Sequence, residues 1–526
     1  MNPLYDVIVV GYGPVGQVLT HLLARNGHRV AVVERQPELY PQPRAAHFDH
    51  EIRRILDRLG VVAELGEDMV EMRSYEWRGA DGELILDLKT DPVTASGHVF
   101  SHLFYQPALE RALHERALRA SSVDLMRGWE MISVTETDGI VTVTAERTRP
   151  AAGGEPELTG ERVQLRGRYL VGADGANSRV RAMSGIGEVD LGFSEHWLVV
   201  DVGFPDRAVA EQLFAQLGDS CQWCDPRRPH MSVRVGRHRR RWEFMLLPGE
   251  DPAEFASDEA VWRMLEPWVG PADAVLERHV VYRFSSVLAE RMRLGATLLV
   301  GDAAHVMPPF MGQGLCSGLR DAANLAWKLD LVLRGVSDAA LLDTLTEERY
   351  EQNLRTIEVS VRMGRVSCTL DPVAAGSRDE AFRTGRIPPP EPMPGLRGGI
   401  RRTDSDPLAG SLAVQGLIGR DGRSGLADAV VGDGFCLITR HHVDLSIVDA
   451  LGIRLLCLDP AHPDGYADLD GRLTAWLDES GAEAVLVRPD YYVFGRAPMA
   501  ADVPALLADL RDQLLTGQNS PHLEAR

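Results

Sequence analysis

The stretch from Val7 to Glu34 constrains this chain more than any other. The apolar run Val7-Ile8-Val9-Val10 leads into Gly11-Tyr12-Gly13-Pro14-Val15-Gly16. Leu19, Leu22 and Leu23 then fall at helical spacing, Gly27 closes that helix, and a second strand from Arg29 to Val33 ends on Glu34. A strand, a glycine-rich turn, a helix and a strand within about 30 residues form the βαβ unit of a dinucleotide fold. Gly11, Gly13 and Gly16 sit where the turn must be tight and a pyrophosphate must approach backbone N–H groups at a helix N-terminus, with Pro14 and Val15 in its first turn. Glu34 lies 23 residues after Gly11, placed to accept hydrogen bonds from a ribose, with Arg35 beside it. One fingerprint leaves two readings open: one dinucleotide held permanently while a second visits, or a plain NAD(P) enzyme.

A chain of 526 residues exceeds what one hydrophobic core serves, so two or three domains are expected. Beyond about residue 70 the pattern changes to broken alternation, as in Glu83-Leu84-Ile85-Leu86-Asp87-Leu88. Helical spacing returns over Pro107 to Ala120, and strands over Gly139 to Ala145 and Tyr169 to Gly172. Ala151 to Pro156 reads as a polar hairpin insertion, and 190–285 as mostly strand. The apolar run Thr297 to Val300 enters Gly301-Asp302 and then a long helix from about Leu315 to Arg334. Ile387 to Gly395 is too proline-rich for regular structure and reads as a linker. The short strands beyond it (Phe435 to Thr439, Arg454 to Leu458, Ala484 to Val487) alternate with helical stretches and suggest a small separate α/β domain. No internal repeat is visible.

A net charge of -20 argues against nucleic acid or an anionic membrane as partner. Lys89 and Lys328 are the only lysines, so almost all positive charge is arginine, which reads as a coding bias. No apolar run approaches the roughly 20 residues that span a bilayer. A strand pattern beginning at once leaves no room for a signal peptide, and six cysteines without framework spacing fit free thiols, so a cytoplasmic protein is expected.

Two further segments carry a resemblance. Leu170 to Arg181, containing Asp174-Gly175, resembles the D-G segment of flavoprotein monooxygenases. Gly301-Asp302-Ala303-Ala304-His305, with Pro308-Pro309 and Gly312-Gln313-Gly314, resembles their G-D motif. Pro43-Arg44-Ala45 and Tyr105-Gln106-Pro107 match positions that line the flavin in that family. The chain is thereby identified as a member of the group A FAD-dependent aromatic hydroxylases, most like the 3-(3-hydroxyphenyl)propionate hydroxylases. Cys224 to His230, Arg241 to Glu250 and Gly318 to Lys328 extend the likeness over most of residues 5–350, and more loosely beyond.

The resemblance implies tight, non-covalent FAD and a transient NADH or NADPH. It implies a Rossmann-like FAD domain built from 1–70, 101–185 and 280–345, with an inserted β-sheet substrate domain over 71–100 and 186–279. A helical segment and linker would occupy 346–395, and a thioredoxin-like domain 396–526. Asp302 would hold the ribityl chain, and Gly312, Gly314, Leu315 and Cys316 would stabilise negative charge on the reduced flavin through backbone N–H groups. Asp174, Gly175, Gly301, Gln106 and Pro309 would line the cofactor. Arg44 would meet the flavin or the nicotinamide, and Arg44 and Pro309 take the catalytic roles. The implied reaction is hydroxylation of a phenolic or pyridinol-like ring, usually ortho to the hydroxyl, through a flavin C4a-hydroperoxide with O2. Met311 and Cys316 stand where many members have Gly and Asn, which bears on pocket width and leaves the substrate open.

Other signals are weaker. Cys221-Gln222-Trp223-Cys224 lacks further ligands for a metal site, and none is expected. His305 is read as packing at a helix start, and His47, His50, His102 and His230 as possible pocket residues without an assigned role. Cys436 and Cys457 are not in a C-x-x-C, so the C-terminal domain should be redox-silent and serve folding or dimerisation, with a homodimer in the latter case. A flavin halogenase would need a W-x-W-x-I-P segment and a catalytic lysine, which are missing. A flavin dehydrogenase or reductase without oxygen insertion and a non-enzymatic flavin scaffold remain as rivals.

Overall fold

The computed structural model describes residues 3–89, 93–150, 156–387, 393–403 and 405–515. Most of the expected hairpin insertion, and the middle of the proline-rich linker, lie outside them.

Along the chain, β1 (Leu4–Val10) leads through the glycine turn into α1 (Pro14–Arg25) and β2 (Val30–Glu34). After α2 (His50–Leu59) and α3 (Gln106–Ala117) come β3 (Val123–Arg127) and the long β4 (Glu157–Gly172). The next strands are β5 (Glu188–Gly203), β6 (His230–Val235), β7 (Arg239–Met245) and β8 (Val275–Ala289). Then β9 (Thr297–Leu299) precedes α4 (Gln313–Leu333) and α5 (Thr344–Ser367). Near the end lie β10 (Cys436–Thr439), β11 (Arg454–Cys457), β12 (Ala484–Val487) and β13 (Val493–Ala497).

In the first sheet β9, β4, β1, β2 and β3 are neighbours in that order and all parallel. Val7 to Val10, Val30 to Val33 and Leu298 to Val300 are almost wholly buried, in one core with residues of α1, α3 and α4 and with Met131, Val141 and Val143 of the adjoining antiparallel strands. The consequence for function is geometric. Parallel strands put their carboxyl ends on one edge, so the loops after β1, β2, β4 and β9 meet there.

The second sheet places β8, β5, β7 and β6 side by side, all antiparallel. One of its faces packs Leu198, Val200, Val202, Trp242 and Phe244 against two helices, Arg207–Leu217 and Asp258–Leu265. Both helices fall in the region expected to be mostly strand. They are short, each begins on a side-chain cap, Asp206 and Ser257, and so few turns do not stand out among the surrounding strands.

The C-terminal sheet runs β11, β10, β12, β13, with β10 and β11 parallel and the other pairs antiparallel, the thioredoxin-like order. It is not separate, as the alternation suggested. Phe435, Leu437, Leu486 and Phe494 belong to the same continuous core as β1 and α4. A buried ionic cluster spans the join: Glu348 of α5 receives Lys328 of α4 at 2.8 Å and Arg488 at 2.7 Å, and Arg488 also holds Asp490 at 2.6 Å.

Candidate active site

The glycines at the carboxyl edge divide into two kinds. A Cβ on Gly11 would stand 2.3 Å from the Ala173 carbonyl oxygen, and one on Gly16 would stand 2.1 Å from that of Gly11, so both are fixed by close packing of the turn. Gly13 caps α1 with no side-chain partner, and a Cβ there would meet nothing within 4 Å. The helix N-terminus is therefore open to a ligand where phosphate binding requires it. The Glu34 carboxylate accepts the Tyr12 N–H at 2.8 Å and the Gln36 N–H at 2.7 Å. It braces the glycine turn and keeps lone pairs for a further donor. Arg35 follows it at the exposed strand end.

Asp174, after β4, accepts from the Ser178 hydroxyl at 2.5 Å and from the backbone N–H groups of Arg179 and Val180 at 2.8 and 3.1 Å. Its carboxylate caps the short helix Arg179–Met183, and the adjoining Gly175 (φ 83°) turns the chain around the edge. After β9, Gly301 donates its N–H to Asp321 at 2.9 Å. Asp302 projects beyond it. More than a third of this residue is open to solvent, yet protein crowds it closely enough that burial raises its carboxyl above the usual range, despite the opposing charges of His305 and Arg44. Among the described residues none donates a hydrogen bond to that carboxylate, which fits the wall of a deep cleft that a hydroxyl-bearing chain could enter.

His305 starts a two-residue strand, not a helix. Its Nε2 lies 2.6 Å from Asp321, which also takes Arg349 at 2.7 Å, all three side chains being buried. Burial opposes the charge on Asp321, but His305 and Arg349 outweigh it and hold the carboxyl down at about 2. This network fixes the Gly301 turn from behind. Sequence reasoning used the segment from Gly318 to Lys328 only as a family likeness, and nothing in its spacing reveals that Asp321 reaches Gly301.

The helix α4 opens on Gly312 (φ 63°) with no side-chain cap and no acidic residue in its first turn. Its first N–H groups lack intrahelical partners, and a Cβ on Gly314 would meet only Met307, at 3.8 Å. Leu315 is half-buried. Cys316 is fully buried with its Sγ 3.7 Å from the Gly312 carbonyl, so it offers a flavin its backbone and not its thiol, and its side chain does not set pocket width. His47 donates from Nδ1 to that same carbonyl at 3.3 Å, and burial lowers its pKa. Before α4, the Pro309–Met311 turn is held by a bond from Ser360 to the Pro308 carbonyl at 2.7 Å and by Phe310, whose ring fills the space beside Gly364.

Opposite this turn lies the loop Pro43-Arg44-Ala45. The exposed Arg44 guanidinium stacks 4.6 Å over the Tyr40 ring. Gln106 was expected at the flavin edge. In the structure it is buried, with its side-chain oxygen accepting the N–H groups of Arg44 and Ala45 at 3.1 and 2.6 Å and its amide donating to Glu110 at 2.6 Å. It shapes the loop from below. Arg241 of β7 donates to the carbonyls of Pro43 and Arg44, Arg278 of β8 to that of Pro43, and Arg241 is bound to Asp201 of β5 at 2.7 Å. The second sheet thus grips the loop directly.

The remaining signals fall away from this edge. Cys221 and Cys224 are both buried, and burial pushes the Cys221 thiol up to about 12. Cys436 pairs in register with Arg454 and Cys457 with Thr439, so the two thiols sit three residues apart along neighbouring strands, roughly 10 Å and beyond disulfide reach. His50, His102 and His230 bond to Ser96, Arg53 and the Arg228 carbonyl, not to the cleft. Among the described residues no group of His, Cys, Asp or Glu could hold a metal ion, and no helix is long and apolar enough to cross a membrane.

FAD fits the donor set. Two uncapped helix N-termini face one edge, both with glycine positions open to a ligand, and an accessible carboxylate stands between them. The comparisons agree. Residues 4–359 match the model of the FAD binding domain family, and residues 410–513 that of the HcaD C-terminal domain. A probable NADH-specific resorcinol 4-hydroxylase of Rhodococcus jostii (strain RHA1) is 35% identical, covering 96% of this chain and 94% of the relative. A 3-(3-hydroxy-phenyl)propionate/3-hydroxycinnamic acid hydroxylase of Burkholderia cenocepacia (strain HI2424) is 30% identical, covering 94% of each. Among solved structures, aklavinone-11 hydroxylase with FAD and aklavinone superposes with a TM-score of 0.77 at 26% identity, covering 98% of this chain and 100% of that one.

Proposed function

The chain belongs to the FAD-dependent aromatic hydroxylases, and from that premise we propose that it hydroxylates a phenolic ring ortho to a hydroxyl, using NADH and O2. The observation that carries this reading is the convergence of the β1, β2, β4 and β9 loops with the uncapped start of α4 at one edge, facing the second sheet across the Arg44 loop. The NADH-specific relative supports the choice of reductant, and the two hydroxylases of phenolic compounds support the substrate class. Position 4 of resorcinol is ortho to one hydroxyl and para to the other, so either oxygen can donate electron density to the carbon attacked.

In this reading bound FAD supplies the redox and oxygen chemistry, through its C4a-hydroperoxide. The chain's own residues bind and shield. The N–H groups of Gly13 and Val15 would hold the pyrophosphate, Glu34 the ribose and Asp302 the ribityl hydroxyls. The first N–H groups of α4 favour negative charge on the isoalloxazine. Pro309 and Phe310 close the substrate side against water, since a wet cavity would divert oxygen to peroxide. Arg44 attracts the anionic nicotinamide dinucleotide at the exposed rim. The FAD, substrate and thioredoxin-like domain limits expected from the sequence, a homodimer and a cytoplasmic location are part of the same proposal.

The test is a panel of phenols, with and without a carboxylate, scored for stimulated NADH oxidation and for hydroxylated product. Product from at least one phenol is expected. NADH oxidation without hydroxylated product across the whole panel would leave only a flavin reductase.

A further inference from the structure

Strand β7 carries Arg241, Glu243 and Met245 on one face, because alternate residues of a strand point the same way. At one end, Arg241 donates to the Pro43 and Arg44 carbonyls of the loop that faces Asp302. At the other, Met245 packs with Trp197, whose ring lies 5.7 Å from Phe310 of the Pro309 turn. Glu243 is therefore held between the two loops that bound the cleft. Its cross-strand partners are Val199 and Met231. On the same face Met231 is half-buried against Ala46 and Leu103, and Val280 and Tyr282 are half-buried on β8, where no further strand lies outside them. The face is open along β8, at Val280 and Tyr282, while Val199 and Glu243 in its middle are buried.

Glu243 itself is 7 % exposed. Among the described residues none donates a hydrogen bond to it, and its only ion pair is a long one, 3.8 Å to Arg241. A buried carboxylate without donors is costly and needs an explanation. Burial also raises its pKa, against the pull of Arg241.

Resting on the phenol-hydroxylase reading, we propose that Glu243 is the substrate-anchoring carboxylate, accepting a hydrogen bond from a phenolic hydroxyl, and that it selects uncharged hydroxyarenes over those bearing a carboxylate. The charges nearby favour that class. Arg241 is spent on Asp201, at 2.7 Å, and on the loop carbonyls, while Arg278 donates to the Pro43 carbonyl, lies 3.6 Å from the Asp201 carboxylate and keeps one nitrogen without a hydrogen-bond partner among the described residues. Two guanidinium groups thus face two carboxylates, Asp201 and Glu243. A substrate carboxylate would leave the buried cluster with an uncompensated negative charge, whereas a neutral hydroxyl supplies the donor that Glu243 lacks. A site built around a hydrogen bond to a hydroxyl discriminates strongly against ligands without one.

The experiment uses the FAD-loaded enzyme with resorcinol and 3-(3-hydroxyphenyl)propionate as probes. Glu243→Gln should lower kcat/KM for resorcinol by about tenfold or more, mainly through KM, and narrow its advantage over the carboxylate-bearing phenol. FAD content should not change, and Glu243→Asp should recover part of the loss. Binding, read from the flavin spectrum of the unaltered enzyme, gives a second arm that needs neither folding of a variant nor turnover. Resorcinol should bind at least about tenfold more tightly than 1,3-difluorobenzene, which matches it in shape but has no O–H. An unchanged substrate ratio in a folded Glu243→Gln enzyme, or equal binding of the two arenes, overturns the assignment. Absence of hydroxylated product from every phenol, with the binding preference intact, would instead remove the hydroxylase reading and leave the anchor.

Discussion

Asp321 does more for the cleft than its distance from any ligand suggests. It joins the Gly301 N–H, His305 and Arg349, so its loss would leave His305 without a hydrogen-bond partner and Arg349 buried without its carboxylate. Asp321→Asn should destabilise the protein by about 3–5 kcal/mol and release FAD at lower temperature, measured by thermal unfolding followed through flavin fluorescence. The folded carboxyl sits at about 2 against an ordinary 3.8, a depressed value, so its contribution is complete above about pH 4 and is lost as pH falls towards 2. That contribution is roughly 2 kcal/mol, and the variant should show a correspondingly shallower acid limb. At this scale the turn glycines and the strand-end acid at the carboxyl edge were legible, because glycine spacing and an acid after a strand are local patterns. Asp321, Gly364 and Glu243 were hidden, since their significance comes from contacts far away in the chain.

Two elements frame the chemistry, the Pro43–Ala45 loop and the start of α4. The loop is fixed from the sheet side by Arg241 and from below by Gln106, which leaves the Arg44 side chain as its free part, against Tyr40. Arg44→Ala should therefore slow substrate-stimulated flavin reduction by NADH at least about tenfold while FAD affinity changes by less than about threefold. Stopped-flow reduction and flavin titration read the two effects, and an equal loss in both would make Arg44 a cofactor ligand only. At α4, alanine fits beside Met307, but a longer side chain at Gly314 must enter the space above the helix N-terminus. Gly314→Leu should raise the peroxide formed per NADH consumed, seen in a coupled peroxide assay, with little loss of fold. The parallel strands β1, β2, β9 and the end of β4, and the helix α4, were legible because apolar runs and helical spacing are strong there, whereas β3 has no such run. The helices Arg207–Leu217 and Asp258–Leu265 were not, since short amphipathic segments among strands yield to tertiary packing.

The whole molecule holds together through a core and an ionic cluster that the apparent linker conceals. Glu348, Lys328, Arg488 and Asp490 are all buried, and they come from α4, α5 and the segment before β13. Composition marked a proline-rich break and so a separate domain, but a break in local structure says nothing about what packs across it. Truncation after Pro394 should strand Lys328 and Glu348 without Arg488 and expose Trp327, giving protein that neither folds cooperatively nor retains FAD. A stable, yellow truncated protein would mean that the join is dispensable. The reaction proposed for the cleft is transfer of oxygen from O2 to a phenolic ring. Turnover of the FAD-loaded enzyme with NADH and resorcinol under 18O2, analysed by mass spectrometry, tests this most directly. One labelled oxygen per product molecule is the expected result. Unlabelled product, or labelled peroxide with resorcinol unchanged, would contradict it.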